Sequence, residues 1–177
     1  MSDLSVIIIT YNAEQYISSC LESVISQLMG KQQYEVVIVD NASEDSTVGV
    51  IQKEFPNLTL IRNGVNRGFA FAVNQGVRSS QGKHILLLNP DAALGKDFFE
   101  QLFRFIHENP KVAIVGSKFE DKNGNVQPSC WKTPTLYTTL IESFFPYHLS
   151  IKIVTDQLHN VGEVEMVSGG CMLIERS

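Results

Sequence analysis

The chain alternates short apolar runs with stretches in which apolar residues recur at helical spacing. A run of β-branched residues at 4–9 predicts a buried strand, and the spacing over 14–28 predicts a helix that ends at Gly30. The same alternation predicts further strands at 35–39, 58–62, 84–88 and 112–116, and helices capped by Ser43, over 69–80 and over 96–108. Strands separated by helices favour parallel βαβ units. We therefore expect an α/β protein whose sheet is covered on both faces.

The pattern becomes less regular after Gly116. An Asn-Gly pair at 123–124 predicts a tight hairpin turn, and a mixed aromatic stretch follows over 134–153. Two short strand-like runs, EVEMV and CMLIE, then surround Ser168-Gly169-Gly170. We expect one structural domain with a regular half at 1–117 and a second half at 118–177. Because the last apolar strand has no helix after it, we also expect the fold to continue beyond Ser177.

Polar clusters follow the apolar runs directly at four places. They are Thr10-Tyr11-Asn12, the segment DNAS at 40–43, Asn66-Arg67-Gly68 and Asn89-Pro90-Asp91. In an open parallel sheet, ligands bind in the crevice beyond the carboxyl ends of the strands. The four clusters are therefore predicted to line one ligand site, and its two aspartates suit a nucleotide whose phosphates arrive with a metal ion.

Composition and charge narrow the range of ligands. Hydrophobic residues make up 44% of the 177 residues and charged residues 19%, as in ordinary globular proteins, so one core is expected. The net charge of -5 gives no basic surface for nucleic acid. A phosphate must then be met locally, by backbone amides, by a single basic side chain or by a divalent ion beside Asp91.

The N-terminus, the cysteines and the histidines carry no further signal of function. The N-terminus lacks the features of a secretory signal and no apolar run approaches 18 residues, so the sequence predicts a cytoplasmic protein. Cys20, Cys130 and Cys171 are widely spaced, which predicts reduced, structural thiols. The histidines show no metal-binding spacing. They are His84, His107, His148 and His159.

Five motifs in register resemble those of family 2 glycosyltransferases with the GT-A fold. They are SVIIITYNAE, VDNASEDST, NRGFAFAVNQG, LLLNPDA and VSGGCMLIERS. The strand-four motif NPD makes the chain most similar to bacterial rhamnosyltransferase-type members. The resemblance implies a Rossmann-like, mainly parallel sheet, with a nucleotide-sugar-binding half at 1–117 and the start of an acceptor-binding half at 118–177.

The resemblance also implies roles for the first three clusters. Asp40 is expected to accept a hydrogen bond from the base N3–H of uridine or thymidine, since a carboxylate can only accept. The base is expected to be held by Thr10, Tyr11 and Asn12, and the ribose or phosphate by Asn66, Arg67 and Gly68, with Asn89 also at the nucleotide. Plainer alternatives remain open: a turn carboxylate at Asp40, a helix N-cap at Asn12 and a solvated surface charge at Arg67.

The two remaining motifs are assigned to the metal and the sugar. Asp91 matches the second aspartate of the family's DxD motif and is expected to bind Mg²⁺ or Mn²⁺, while Asn89 replaces the first. Gly169, Gly170 and Cys171 match a segment near the transferred sugar and the acceptor. A turn carboxylate at Asp91 and a simple strand bend at 168–171 are the alternatives. Trp131 and the aromatic residues around 144–147 are expected in the core, with an acceptor or membrane-facing surface as the alternative.

The implied activity is transfer of a sugar from a UDP- or dTDP-sugar to an acceptor hydroxyl, with inversion, in bacterial polysaccharide or cell-surface glycan synthesis. The acceptor is expected to be a glycan or a lipid-linked molecule. Peripheral association with the inner face of the membrane and self-association both stay open. Inversion needs a general base. Glu163, Glu165 and Glu175 flank strands that precede the family's acidic motif, so the base is expected beyond Ser177.

Three other classes compete with this interpretation. An NAD-binding domain would carry G-x-G-x-x-G after the first strand, where TYNAE stands instead. A sugar nucleotidyltransferase would carry a glycine-rich loop at the same place, which is also absent. The serious alternative is a nucleotide-binding module that needs a partner or further residues for turnover. Loss of catalysis with retention of binding would distinguish it from an enzyme.

Overall fold

The structure is a computed structural model that describes residues 3–29, 34–131, 133 and 161–176. Its helices are α1 (Ile17–Leu28), α2 (Thr47–Glu54), α3 (Phe69–Ser79) and α4 (Phe98–Glu108). The larger strands are β1 (Leu4–Thr10), β2 (Tyr34–Asp40), β3 (Thr59–Arg62), β4 (His84–Leu88), β5 (Ile114–Gly116) and β10 (Cys171–Glu175). Four two-residue strands complete the described elements: β6 (Phe119–Glu120), β7 (Val126–Gln127), β8 (Cys130–Trp131) and β9 (Met166–Val167).

The described residues form two compact units. The first comprises Met1–Ile114 and Leu173–Ser177, and the second comprises Val115–Met172, so the boundary falls within β5 and β10. A six-stranded sheet has the order β3-β2-β1-β4-β10-β5, and the pairings of β1 with β2, β1 with β4 and β2 with β3 are all parallel. The predicted α/β architecture with a mainly parallel sheet is confirmed.

The core of the first unit lies on the central strands. Every residue of β1 is buried, as expected for a parallel strand covered on both faces. Helix α3 packs against β1 and β2, and α1 packs against α2 and α4. Gly76 permits the close approach of α3, because a Cβ there would lie 2.6 Å from Cγ2 of Ile7.

Three helix boundaries differ from the sequence-based expectation. Helix α1 begins at Ile17 rather than at 14, and α4 begins at Phe98, after a left-handed Asp97 with φ 57°. The predicted cap at Ser43 is wrong, since α2 begins at Thr47 with Ser46 at the N-cap. The Ser43 hydroxyl instead donates to Asp40, which draws residues 41–46 into a loop. The expectations for Gly30, residues 134–153, His148 and His159 lie outside the described residues.

The second unit contains two small antiparallel pairs. Strands β6 and β7 form the predicted Asn-Gly hairpin, with Gly124 at φ 81°. Within its turn, Asp121 accepts the side-chain and main-chain N–H groups of Asn125, and these hydrogen bonds hold the pKa of Asp121 below its ordinary value. Strands β8 and β9 pair through Cys130 with Val167 and Trp131 with Met166. Trp131 is partly exposed.

Candidate functional site

The strand register brings three of the predicted clusters to one edge of the sheet. Thr10 at the end of β1 lies opposite Asp40 at the end of β2, and Asp40 lies opposite Arg62 at the end of β3. Strand β4 ends at Leu88, opposite Ile8, so Asn89 and its neighbours leave the sheet at the same edge. This is the carboxyl edge, where open α/β sheets bind their ligands.

Asp40 is a buried carboxylate held by two side chains. It is only 2% exposed. Its Oδ1 accepts hydrogen bonds from the Thr10 hydroxyl at 3.0 Å and the Ser43 hydroxyl at 2.5 Å, and its Oδ2 accepts the Ser43 amide at 3.1 Å. Asp40 therefore accepts an amide in the turn that follows β2, as the alternative of a turn carboxylate at Asp40 describes. A carboxylate offers about four acceptor positions, so Oδ2 keeps capacity for one further donor.

Thr10 positions its neighbours from the interior. Its side chain is fully buried, and its hydroxyl is directed to Asp40. Its carbonyl oxygen accepts the Asn41 amide at 2.8 Å. Thr10 thus fixes the geometry of Asp40 and of the chain that follows β2.

The loop after β1 is tied to the loop after β2 through Asn12. The backbone of Asn12 is left-handed at φ 51°, its amide donates to the Ser43 hydroxyl at 2.9 Å, and its Oδ1 accepts the Glu44 amide at 2.8 Å. The N-cap of α1 is Tyr16, so the alternative of a helix cap at Asn12 is wrong. Tyr11 is 49% exposed, which leaves its ring at the surface of this loop.

Further hydrogen bonds between the two loops were not predicted from the sequence. The Ala13 amide donates to the Thr47 hydroxyl at 2.8 Å, the Glu14 amide donates to Asp45 at 3.1 Å, and the Ser46 amide donates to Glu14 at 2.8 Å. Partial burial raises the pKa of Asp45, but hydrogen bonds from Thr47 and the Glu14 amide outweigh it and lower that pKa overall. The polar run SEDST was the available signal.

Asn41 connects the site to the loop after β3, and sequence reasoning gave it no role. It is 3% exposed. Its Nδ2 donates to Asn66 Oδ1 at 2.8 Å, while its Oδ1 accepts the Asn63 side chain and the Arg67 amide, each at 3.2 Å. Asn66 Oδ1 also accepts the Gly68 amide at 2.9 Å. The place of Asn41 directly after a buried strand end was the only signal.

The Arg67 side chain lies away from these polar contacts. Its guanidinium carbon stands 4.7 Å from the ring centroid of Phe71, in a cation–π arrangement. Both line a cavity of about 320 Å³ in the first unit, together with Arg62, Asn63, Gly64, Val65 and Gln75. Only the Arg67 backbone is brought into the network around Asp40 and Asn41.

The Asn89-Pro90-Asp91 segment offers one free carboxylate. The Asn89 carbonyl oxygen accepts the Ala92 amide at 3.2 Å and the Cys20 thiol at 3.5 Å, whereas Asp91 is exposed and has no hydrogen-bond partner among the described residues. Within the same residues no three His, Cys, Asp or Glu side chains converge on a common point. A single carboxylate fits an ion such as Mg²⁺ that takes its other ligands from phosphates and water.

The Gly169–Cys171 segment lies in the second unit. A Cβ at Gly169 would meet open space, and the Gly170 amide donates to the Ser168 hydroxyl at 3.1 Å. The Cys171 side chain is 2% exposed, and burial raises the pKa of its thiol to about 11, against a weak opposing hydrogen bond from Ser117. Cys171 thus stays protonated and can meet a ligand only through its backbone. All three cysteines are reduced and buried, as predicted.

The three glutamates near the C-terminus have different surroundings. Glu165 accepts the Thr133 amide at 2.7 Å, Glu175 forms a salt bridge with Lys83 at 3.1 Å, and Glu163 is exposed. Glu165 and Glu175 therefore hold local structure. In the described parts of the chain, no helix is both long and apolar enough to cross a membrane.

Comparison with known proteins finds relatives that are named as glycosyltransferases. The chain is 31% identical over 145 residues to a poly(ribitol-phosphate) beta-glucosyltransferase of Bacillus spizizenii. The aligned region covers 79% of this chain and 23% of that protein. It is also 31% identical over 148 residues to a dolichyl N-acetyl-alpha-D-glucosaminyl phosphate 3-beta-D-2,3-diacetamido-2,3-dideoxy-beta-D-glucuronosyltransferase of Methanococcus voltae, covering 78% of this chain and 45% of that one. The chain thus spans less than half the length of these relatives.

Solved structures agree with the fold. The crystal structure of S. aureus TarS 1–349 in complex with UDP-GlcNAc superimposes with a TM-score of 0.63 at 27% identity, over 75% of this chain and 39% of that one. The mannosyltransferase PcManGT of Pyrobaculum calidifontis, in complex with GDP-Man and Mn²⁺, superimposes with a TM-score of 0.66 over 98% of this chain and 44% of that one. At 23% identity, the latter supports the fold alone.

Residues 5–176 match the sequence profile of glycosyl transferase family 2. The GT-A α/β architecture implied by the five motifs is confirmed, whereas the closer likeness to rhamnosyltransferase-type members stays a prediction. The match covers nearly the whole sequence, and the described strands and helices carry the architecture of solved glycosyltransferases. The chain therefore belongs to glycosyl transferase family 2.

Proposed function

We propose that this chain binds a UDP- or dTDP-sugar at the carboxyl edge of its sheet, as the donor-binding part of an inverting glycosyltransferase. The observation that carries the proposal is Asp40, a buried carboxylate at the end of β2 whose Oδ2 can accept one hydrogen bond more than the one from the Ser43 amide. Uracil and thymine present an N3–H donor, whereas the cytosine N3 is an acceptor. The site around Asp40 should therefore prefer uridine and thymidine nucleotides to cytidine nucleotides.

The surrounding residues supply the rest of the nucleotide site. Tyr11 exposes its ring beside Asn12, and Asn41 holds Asn66, Arg67 and Gly68 at the start of α3. Free backbone amides at the start of a helix favour ribose hydroxyls or phosphate. Asn89 is proposed to contact the nucleotide from the end of β4.

Asp91 is the proposed metal ligand. Its exposed carboxylate would hold Mg²⁺ or Mn²⁺ together with the donor diphosphate, and the ion when bound would neutralise the charge of the leaving group. The mannosyltransferase PcManGT was solved in complex with GDP-Man and Mn²⁺. The backbone of 169–171 is proposed to lie near the sugar and the acceptor.

In the proposed reaction, an acceptor hydroxyl oxygen forms a bond to the anomeric carbon while the bond from that carbon to the diphosphate oxygen breaks. The hydroxyl proton passes to a general base, and the nucleoside diphosphate leaves. One relative is named for poly(ribitol-phosphate) and another for dolichyl N-acetyl-alpha-D-glucosaminyl phosphate. We accordingly propose a glycan or lipid-linked acceptor, at the inner face of the membrane, in cell-surface glycan synthesis.

A nucleotide-binding module without turnover is the second candidate. It is favoured by the surroundings of Glu165 and Glu175, since the first accepts the Thr133 amide and the second pairs with Lys83. A coupled assay for UDP release with a panel of glycan acceptors distinguishes the two candidates, because only an enzyme gives repeated turnover.

The nucleotide site is tested by calorimetric titration of UDP, dTDP and CDP into the wild type and Asp40→Asn. We expect wild type to prefer UDP and dTDP to CDP. The variant should lose about tenfold or more of its UDP affinity, because both carboxylate oxygens of Asp40 already accept hydrogen bonds and the amide replaces one of them with an NH2 donor. Asp97→Asn is the control, since Asp97 is exposed and its left-handed backbone tolerates asparagine. Unchanged UDP affinity in Asp40→Asn would remove Asp40 from the base site.

A further inference from the structure

A second feature of the first unit lies beside the nucleotide site and is used by no step of the proposed reaction. It is the cavity of about 320 Å³ between the end of β3 and the outer face of α3. Its lining includes two arginines, Arg62 and Arg67, and excludes Thr10, Asp40 and Asn66. Its volume is near the lower limit for small-molecule sites, which suits a ligand smaller than a nucleotide sugar.

No described residue neutralises the positive charge of this cavity. Among the described residues, neither Arg62 nor Arg67 forms a salt bridge. The two salt bridges between described residues use Lys83 and Lys118, which do not line the cavity. The Arg67 guanidinium is oriented over the Phe71 ring, so its planar face is fixed. In a chain of net charge -5, two unpaired guanidinium groups on one cavity indicate an anionic ligand, and arginine matches phosphate oxygens through paired N–H donors.

A polar residue and two apolar residues of the cavity wall indicate what the rest of the ligand contains besides its anionic group. Gln75 Oε1 is buried and accepts no hydrogen bond within the described part of the chain. A buried acceptor without a donor is costly, and a ligand hydroxyl would satisfy it once the Gln75 amide turns into the cavity that this residue lines. Val65 and Phe71 are 62% and 39% exposed, which gives the cavity apolar walls for the C–H surface of a sugar or polyol.

We propose that this cavity is a separate site for a phosphate ester of a small sugar or polyol. The arginines bind its phosphate, Gln75 accepts from its hydroxyl, and Phe71 packs on its carbon chain. The walls of the cavity are linked to the nucleotide site through Asn41, which accepts from the Asn63 side chain and the Arg67 amide. The side chains that select the ester are distinct from those proposed to select the base.

The test uses glycerol 3-phosphate as the probe, with glycerol and inorganic phosphate as its two halves. Binding is followed by NMR titration at the Gln75 side-chain amide and the Arg62 Nε–H. We expect glycerol 3-phosphate to bind more tightly than either half. Arg62→Gln should lower its affinity by about tenfold, since one charge-assisted contact is lost. Arg78→Gln, on the exposed end of α3, is the matched control and should bind as wild type does.

Gln75→Met provides a second variant that separates binding from folding. It should lower the affinity for glycerol 3-phosphate but leave the affinity for inorganic phosphate unchanged. Its melting temperature should not fall, because an unpaired buried oxygen is removed. No saturable binding, or equal affinity in Arg62→Gln, would overturn the proposal. Displacement of the probe by UDP would overturn it too, since the cavity would then be the phosphate subsite of the nucleotide. If UDP fails to bind while the probe binds, only the proposed nucleotide site fails.

Discussion

Asp40 shows how a buried charge is held at the end of a strand. An ionised carboxylate loses hydration when it is buried, and only hydrogen-bond donors offset that loss. Thr10 supplies one of these donors from the end of β1, and Ser43 supplies two from the loop after β2. The carboxylate is thus fixed before any ligand arrives, which reduces the ordering that binding would otherwise require.

Replacing Thr10 by valine tests this arrangement. Valine matches the shape of threonine, so Thr10→Val removes the hydroxyl donor to Asp40 and little else. We expect the free energy of unfolding to fall by about 1–3 kcal/mol, the cost of a lost hydrogen bond to a charged group. Urea denaturation measures it. Thr59→Val, at the exposed start of β3, is the control and should stay within about 0.5 kcal/mol. Equal stability of the two variants would contradict the role of Thr10.

The acid side of the stability profile depends in part on Asp45. Burial opposes its ionisation, but hydrogen bonds from Thr47 and the Glu14 amide hold its pKa below the ordinary value of 3.8. A lowered folded pKa contributes stability that is present above the unfolded pKa and is lost as the pH falls through the folded one. Asp45→Asn should therefore be less stable than wild type at pH 7, and the difference should shrink below about pH 4. Thermal melts of both proteins between pH 2 and pH 7 measure it, and a constant difference would contradict it.

Individual site residues were predictable only where the strand end itself placed them. Asp40 and Asn66 follow apolar runs and lie at the carboxyl edge, as expected. Asn41 was placed at the site, but its contacts with Asn63 and Asn66 were not predicted, because these partners belong to a loop whose course the sequence pattern does not specify. The left-handed backbone of Ala42, at φ 69°, is one such feature, since alanine gives no signal for it.

At the scale of elements, the parallel sheet places four loops at one edge while the helices fix how closely the layers approach. Helix α3 supplies both functions. Its first turn follows Gly68 at the site, and its Gly76 faces β1 and β2 in the core. A side chain at Gly76 would lie 2.6 Å from Cγ2 of Ile7 and 3.3 Å from Cγ2 of Val39, so the helix would have to move outward.

Two identical glycine substitutions should have opposite effects. Gly76→Ala should destabilise the protein by about 1–3 kcal/mol, because overpacking outweighs the better helix propensity of alanine. Gly49→Ala in α2 is the matched control, since a Cβ there meets nothing within 4 Å, and it should stabilise by about 0.5–1 kcal/mol. Chemical denaturation of both variants measures the difference. Equal signs would show that the layer spacing is not set at Gly76.

The elements themselves were largely predictable, because their hydrophobic periods are strong. Strand β4 falls at 84–88 as predicted, and α3 ends within one residue of its predicted end. Helix starts were less predictable. Three hydroxyl residues, Ser43, Ser46 and Thr47, compete for the cap of α2, and only the folded loop shows that Ser43 is taken by Asp40. Local cap rules cannot resolve this competition, because they do not take account of the carboxylate at the end of the preceding strand.

At the scale of the molecule, net charge limits how the chain can hold a diphosphate. With a charge of -5 and Asp91 exposed near the carboxyl edge, a phosphate ligand faces repulsion that a divalent ion would remove. Among the described residues no preformed metal cluster exists. Each of the two ligands, the metal ion and the nucleotide, is therefore expected to raise the affinity of the chain for the other.

The last prediction follows from this coupling. Mn²⁺ alone should bind the wild-type chain weakly, and UDP should raise its affinity by the same factor by which Mn²⁺ raises that of UDP, because binding linkage is reciprocal. Calorimetric titrations of Mn²⁺ with and without saturating UDP measure the factor, after correction for Mn²⁺ binding to UDP alone. Asp91→Asn should reduce it about fivefold or more, since the amide keeps the shape but loses the charge that the ion requires. Asp97→Asn, which removes an exposed aspartate from the start of α4, should leave it unchanged. Equal coupling in all three proteins would show that Asp91 does not hold the ion, and the ligand would then be sought among the other oxygen side chains of the carboxyl edge.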